Sequence, residues 1–152
     1  MIRHPKSQIL LIGIGNSGRR DDGLGWAFLE RLEKMRPENV TVEYRYQLQI
    51  EDAELISHYA RVLFVDADTA VHENGFAITS VEPLSAPSYT SHRLTPEAVL
   101  ALAQKLYRSA PECRLLGITG RSFELAIGLT PEAEENLRKA LGSRIWEAGQ
   151  WN

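Results

Sequence analysis

The sequence predicts an α/β protein: a three-layer sandwich with a twisted, mostly parallel five-stranded sheet, one antiparallel strand, and helices on both faces. Three observations predict it. Ile9–Ile14 opens with four apolar residues in a row, and residues 62–65 (VLFV) form a second unbroken run. Both have the character of strands covered on both faces, as in a parallel sheet. Stretches with helical spacing alternate with these strands, the order that specifies layered α/β architecture. Finally, the link from Asp66 to a strand at residues 75–81 is too short for a crossover helix of about a dozen residues, so that strand should run antiparallel.

After the first strand comes a glycine-rich turn carrying Asp21 and Asp22, with a helix starting near Gly23. Leu24, Ala27, Phe28 and Leu32 recur at helical spacing, and Pro37 closes that helix. Residues 40–46 alternate strictly, with Val40, Val42, Tyr44 and Tyr46 set against Thr41, Glu43 and Arg45, a strand with one wetter face. Residues 49–57 read as a short helix with Ile50, Ala53, Glu54 and Ser57 on one stripe. The strand at 62–65 runs directly into Asp66-Ala67-Asp68, and a loop at 82–94 carries His92. Thr95 and Thr130 each precede Pro-Glu, which predicts two helices with threonine N-caps and proline in the first turn. Val99, Leu102, Ala103 and Leu106 should be the buried stripe of the first. Ala133, Leu137, Ala140, Leu141 and Ile145 should line the second, with a strand at 114–118 and a loop at 120–129 between them.

Composition narrows the function. The 152 residues suit one domain, 1–152, large enough to bury a core, with 43% hydrophobic and 24% charged residues. A net charge of −3 offers no basic surplus for nucleic acid. No apolar run approaches the length of a membrane span, and MIRHPKSQ leads straight into the first strand without a signal peptide, so a cytoplasmic protein is expected. The one cysteine, Cys113, excludes an internal disulfide and a cysteine-based zinc site, and a buried, inert thiol is its expected role.

Two chemistries compete for the opening turn. Gly13, Gly15 and Gly18 make a formal GxGxxG, the dinucleotide fingerprint, after a strand as it requires. A pyrophosphate, however, needs positive potential at the helix N-terminus, and Asp21 and Asp22 occupy that place, offset only by Arg19 and Arg20. The alternative begins with acid at the ends of two strands: Asp21 and Asp22 after the first, Asp66 and Asp68 after the third. If those strands are neighbours, their carboxylates converge on one crevice and call for a compensating cation. A metal ion is the simplest, and His92 could complete its site. Against this stand plainer roles, with Asp21 or Asp22 as a helix cap and Asp68 capping a turn. His4, His58 and His72 suit surface roles, and Trp26, Tyr44, Tyr46 and Phe64 suit the core.

The blocks GIGNSGRRDDGLG, VLFVDAD, SHRLTPEAV, LLGIT and GLTPEAEENL, in this order, resemble the successive blocks of the hydrogenase maturation endopeptidases, over roughly residues 8–141. RYQLQIEDAELI resembles the family's segment before the DAxD strand. Two positions depart from the pattern: Gly18 stands where an apolar residue is common, and Gly120 follows LLGIT where Gln-Pro is frequent. The resemblance implies an endopeptidase that removes a C-terminal peptide from the large-subunit precursor of a nickel-iron hydrogenase. It implies that Asp22, Asp66 and His92 bind the metal and carry the catalysis, the nickel arriving with the precursor. A monomer is expected. Metal-dependent hydrolysis follows, with the base open between a metal-bound hydroxide and Asp22 or Asp66 acting on water. A non-catalytic nickel- or precursor-binding chaperone would need the same side chains.

Overall fold

The computed structural model describes residues 8–84 and 94–151. In chain order it contains β1 (Ile9–Ile14), a 3₁₀ turn (Arg20–Gly23), α1 (Leu24–Lys34), β2 (Val40–Arg45), α2 (Asp52–Ser57), β3 (Arg61–Asp68) and β4 (Phe76–Val81). Then follow α3 (Pro96–Tyr107), β5 (Glu112–Thr119), α4 (Pro131–Gly142) and a closing 3₁₀ turn (Ala148–Trp151). The five strands form one sheet in the order β2-β1-β3-β5-β4. All neighbours are parallel except β4, which runs antiparallel to β5, as the short link after Asp66 requires. No helix among the described residues is long and apolar enough to cross a membrane.

Side chains alternate across the central strands and divide the core in two. Leu11, Leu63, Val65, Leu116 and Ile118 face α1 and α4, while Leu10, Ile12, Val62, Phe64 and Cys113 face α2 and α3. α1 lies against the strand backbones themselves. A Cβ added to Gly25 would stand 2.5 Å from the Val65 carbonyl oxygen and 2.6 Å from that of Ile14. One added to Gly13 would stand 2.9 Å from the Gly25 carbonyl oxygen. Gly13 and Gly25 therefore serve helix-to-sheet contact.

The threonine caps form as expected. Ala98 N–H donates to Thr95 Oγ1 at 3.1 Å and Ala133 N–H to Thr130 Oγ1 at 3.2 Å, each with proline in the first turn. Other expectations shift. α2 starts at Asp52, so Ile50 lies outside it and is 63% exposed, and the buried residues are Asp52, Ala53 and Ile56. On α3 the buried positions are Val99, Leu100 and Ala103; Leu106 is 54% exposed because the last turn overhangs the packed layer. β2 is an edge strand whose six residues are all half-buried, so its two faces differ less than their polarity suggests. Arg45 bonds Glu43 and the buried Asp52 on its polar face. Phe64 is core, whereas Tyr46 is 71% exposed and packs only its ring on Trp26, with centroids 4.9 Å apart.

The Gly25 contact has a measurable consequence. Replacing Gly25 by Ala forces a methyl group onto two backbone oxygens that cannot turn aside, and should destabilise the protein by about 2–3 kcal/mol. Urea unfolding checks this, with Gly149→Ala, where an added Cβ meets nothing within 4 Å, as the neutral comparison.

Candidate active site

β1 and β3 are parallel neighbours, with Gly13 paired to Val65, so Ile14 and Asp66 stand at the same end of the sheet. The chain leaves β1 there, makes the glycine loop, and enters the 3₁₀ turn that carries Asp21 and Asp22 and packs against β3. Asp22, in that turn, and Asp66, on β3, thus belong to segments at one end of two adjacent strands, the position at which open α/β sheets place their ligands. Asp66 lies on β3 itself, on the face of Val62 and Phe64, and its Oδ1 accepts the Ala67 N–H at 2.8 Å. Asp22 is held through its backbone: its N–H donates to the Arg19 carbonyl and its carbonyl accepts the Asn16 N–H, both at 3.0 Å.

Asp21 and Asp22, adjacent in sequence, separate completely in role. Asp21 is fully buried, and no side chain caps α1, so the expected helix-cap role is not the one it plays. Its Oδ2 accepts the N–H groups of Arg121 and Ser122 at 2.7 and 3.0 Å and the Thr130 hydroxyl at 2.7 Å, and its Oδ1 accepts the Thr130 N–H at 2.8 Å. Burial pushes its carboxyl up, but the N–H groups of Thr130, Ser122 and Arg121 and the Thr130 hydroxyl outweigh burial and hold it below the usual carboxylate range.

Asp68 does cap a turn, its Oδ1 accepting the Ala70 N–H at 2.9 Å. His72, expected at the surface, instead turns back on it, with Nε2 2.7 Å from Asp68 Oδ2. This pair occupies Asp68 within the link from β3 to β4. Burial raises the Asp68 carboxyl, and the His72 ring with the Ala70 N–H brings it below its ordinary value. The predicted His92 lies outside the described residues. Among those described, no three His, Cys, Asp or Glu side chains group to hold a metal ion. The chain re-enters at Leu94, which bridges to Leu48 just beyond β2, at the same end of the sheet as Asp22 and Asp66.

The glycine loop does not offer its amides to a phosphate. The N–H groups of Asn16, Gly18, Arg19, Arg20, Asp21 and Asp22 all donate to acceptors within the protein. A Cβ at Gly15 would overlap the Asp22 carbonyl oxygen, so the loop folds back onto the turn rather than around a ligand. Beside the turn, a groove of about 370 Å³ runs between α1 and α4, lined by Ser17, Arg20, Ala27, Arg31, Ile127 and Leu129. Arg31 spans it to Glu134 with two bonds of 2.8 and 2.6 Å. The loop forming its rim leaves Leu125 80% and Ile127 82% exposed.

The same arrangement of strands and helices occurs in solved structures. The chain superposes on a NiFe hydrogenase maturation protease HycI from Thermococcus kodakarensis KOD1 with a TM-score of 0.68 and 25% identity, over 90% of this chain and 89% of that one. The fold is that of the hydrogenase maturation endopeptidases. The maturating endopeptidase HybD from E. coli gives a TM-score of 0.69 at 23% identity, covering 91% of this chain and 90% of that one. A hydrogenase 2 maturation peptidase from Thaumarchaeota archaeon SCGC_AB-539-E09 gives 0.65 at 20% identity, covering 91% and 95%. No family model and no curated protein matches the chain in sequence. Within the maturation-endopeptidase fold, the segment from β1 to the 3₁₀ turn and the end of β3 form the candidate site.

Two outcomes follow from the side chains placed here. Cys113 is buried on the α2–α3 face, where burial and then Glu112 push its thiol up to about 12. It should resist a disulfide reagent at pH about 8 in the folded protein and react once in urea. Asp21 should make stability acid-sensitive. Its folded value is depressed, so its contribution is complete above the unfolded value of about 4 and disappears as pH falls through the lower folded value. The stability gap between wild type and Asp21→Asn, measured by urea unfolding, should be flat from neutral pH to about pH 5 and narrow below about pH 4.

Proposed function

We propose that this protein is an endopeptidase that removes the C-terminal peptide from the nickel-loaded large-subunit precursor of a nickel-iron hydrogenase, with Asp22, Asp66 and His92 recognising the metal. One observation carries the reading: on a fold shared with hydrogenase maturation proteases, Asp22 and Asp66 stand at one end of adjacent parallel strands. The position of Leu94 beside Leu48 supports His92 as the third donor, since it fixes the chain two residues on at that end. Two carboxylates and an imidazole suit a borderline divalent ion and leave positions for groups of the substrate. Nickel is part of the substrate in this reading. Bound there, it supplies Lewis acidity at the scissile carbonyl.

The chain's own part is to hold and to move a proton. Asp22 and Asp66 fix the precursor by its metal, and one of them takes a proton from the attacking water. Water adds to the carbonyl, the C–N bond breaks, and the proton passes to the leaving amine. The partner is the precursor chain, with neither nucleic acid nor membrane involved, and the protein works as a cytoplasmic monomer.

The test mixes the protein with precursor, with and without nickel, and follows loss of the C-terminal peptide by mass spectrometry. Cleavage is expected only for the nickel-loaded chain. Asp66→Ala and His92→Ala should each lower the rate by about two orders of magnitude or more while far-ultraviolet circular dichroism stays unchanged. Equal cleavage of both precursors would refute metal recognition, and tight binding without cleavage would make the protein a chaperone.

A further inference from the structure

We infer that Asp21 is a positioning residue, whose buried carboxylate fixes the turn that presents Asp22 and locks it to the start of α4 and the rim of the groove. The inference deepens the functional reading above and rests on it only for its kinetic consequence.

The geometry over-determines the turn. Asp21 reaches residues about a hundred positions away, bonding Arg121, Ser122 and Thr130 through both oxygens, while its own N–H donates to the Ser122 carbonyl at 3.0 Å. Thr130 works in two directions, its hydroxyl donating to Asp21 and accepting the Ala133 N–H as the cap of α4. A Cβ at Gly120 would stand 2.9 Å from Asp21 Cβ, so the β5 end closes directly on this side chain. On the other side, Asp22 is bonded at both its N–H and its carbonyl to Arg19 and Asn16. Arg20 adopts a left-handed φ of 51°, and its N–H donates to the Ala126 carbonyl at 2.8 Å. The peptide unit joining the two aspartates is therefore clamped from both flanks. An asparagine at 21 keeps the shape but replaces one acceptor oxygen by a donor that faces other donors. The turn then shifts, and Asp22 shifts with it, because nothing flexible lies between them. Displacements of about an ångström can cost about a hundredfold in rate when a site depends on fixed geometry.

The experiment reads the turn first and turnover second. In Asp21→Asn, amide resonances of Asn16, Arg19, Asp22 and the start of α4 should shift, and their hydrogen exchange should quicken by about tenfold, while β3 and α3 stay as they were. Unmoved Asn16 and Asp22 amides overturn the inference whether or not any precursor is cleaved. Should Asp21→Asn give no folded protein, Thr130→Val removes the hydroxyl that both donates to Asp21 and caps α4, so it is read at Asn16, Arg19 and Asp22 alone, which should shift in weaker form, with Thr130→Ser, which keeps the hydroxyl, close to wild type. On nickel-loaded precursor, kcat should fall by about tenfold or more in Asp21→Asn, with KM within about threefold. Ile56→Ala, buried on the opposite face of the sheet, serves as a destabilised control and should keep its kcat. An equal loss of kcat in that control would reduce Asp21 to a fold stabiliser. A wild type inert toward the precursor would sink the proposed function, while the amide measurements would still decide the role of Asp21.

Discussion

Backbone-to-backbone contact between α1 and the sheet governs the geometry of everything above it. Gly25 meets the carbonyl oxygens of Val65 and Ile14 across the distance a side chain would need, and Gly13 meets Gly25 in return. With α1 seated that low, the chain leaving β1 has only the glycine loop and one 3₁₀ turn in which to rise and reverse. The loop accordingly bonds to itself and to the loop after β5, its amides directed at Asn16, Arg19, Asp22, Ser122 and Ala126. Of the glycines that in another setting would admit a pyrophosphate, Gly13 here admits a helix and Gly15 the Asp22 carbonyl. The turn that follows lies against β3, the strand that carries Asp66.

The buried charge of Asp21 follows from the same constraint. A carboxylate withdrawn from water is tolerated only when protein donors replace its hydration, and four do so here. Those donors belong to the loop after β5 and to the first residue before α4, so the charge joins the beginning of the fold to its end. Asp22, one position on, remains half-exposed. Two identical side chains in succession thus differ in setting, one buried among donors from distant elements and the other half-exposed in the turn beside β3.

Local physics made much of this legible in the sequence. β1 is bounded by its apolar run, the threonine-proline signals mark α3 and α4, and chain length alone fixes β4 as antiparallel. Rotational details were harder. Leu102 packs against the core only in part and Leu106 is exposed, while Leu100 takes the buried place, because α3 is rotated by what it packs on and not by its own periodicity. Tyr46 alternates in phase with Val40 and Val42 but lies beyond the last paired residue of an edge strand, where it rests on the Trp26 ring and stays 71% exposed. For the site, the shared strand end of Asp22 and Asp66 could be anticipated from strand order. The role of Asp21 could not, since its donors come from residues 121, 122 and 130 and no local pattern announces them. His72 was hidden for a related reason: spacing of four suggests no partner outside a helix, and only the turn after β3 brings it to Asp68.

The rim loop between β5 and α4 is fastened almost wholly through main-chain atoms. Ala126 exchanges bonds with Gly18 and Arg20, while Arg121 and Ser122 give their amides to Asp21. Main-chain fastening is indifferent to side-chain identity. The projecting side chains of Leu125 and Ile127 are therefore uncoupled from the stability of the fold, and the surface beside the turn can change its polarity, size or charge while the scaffold beneath stays the same.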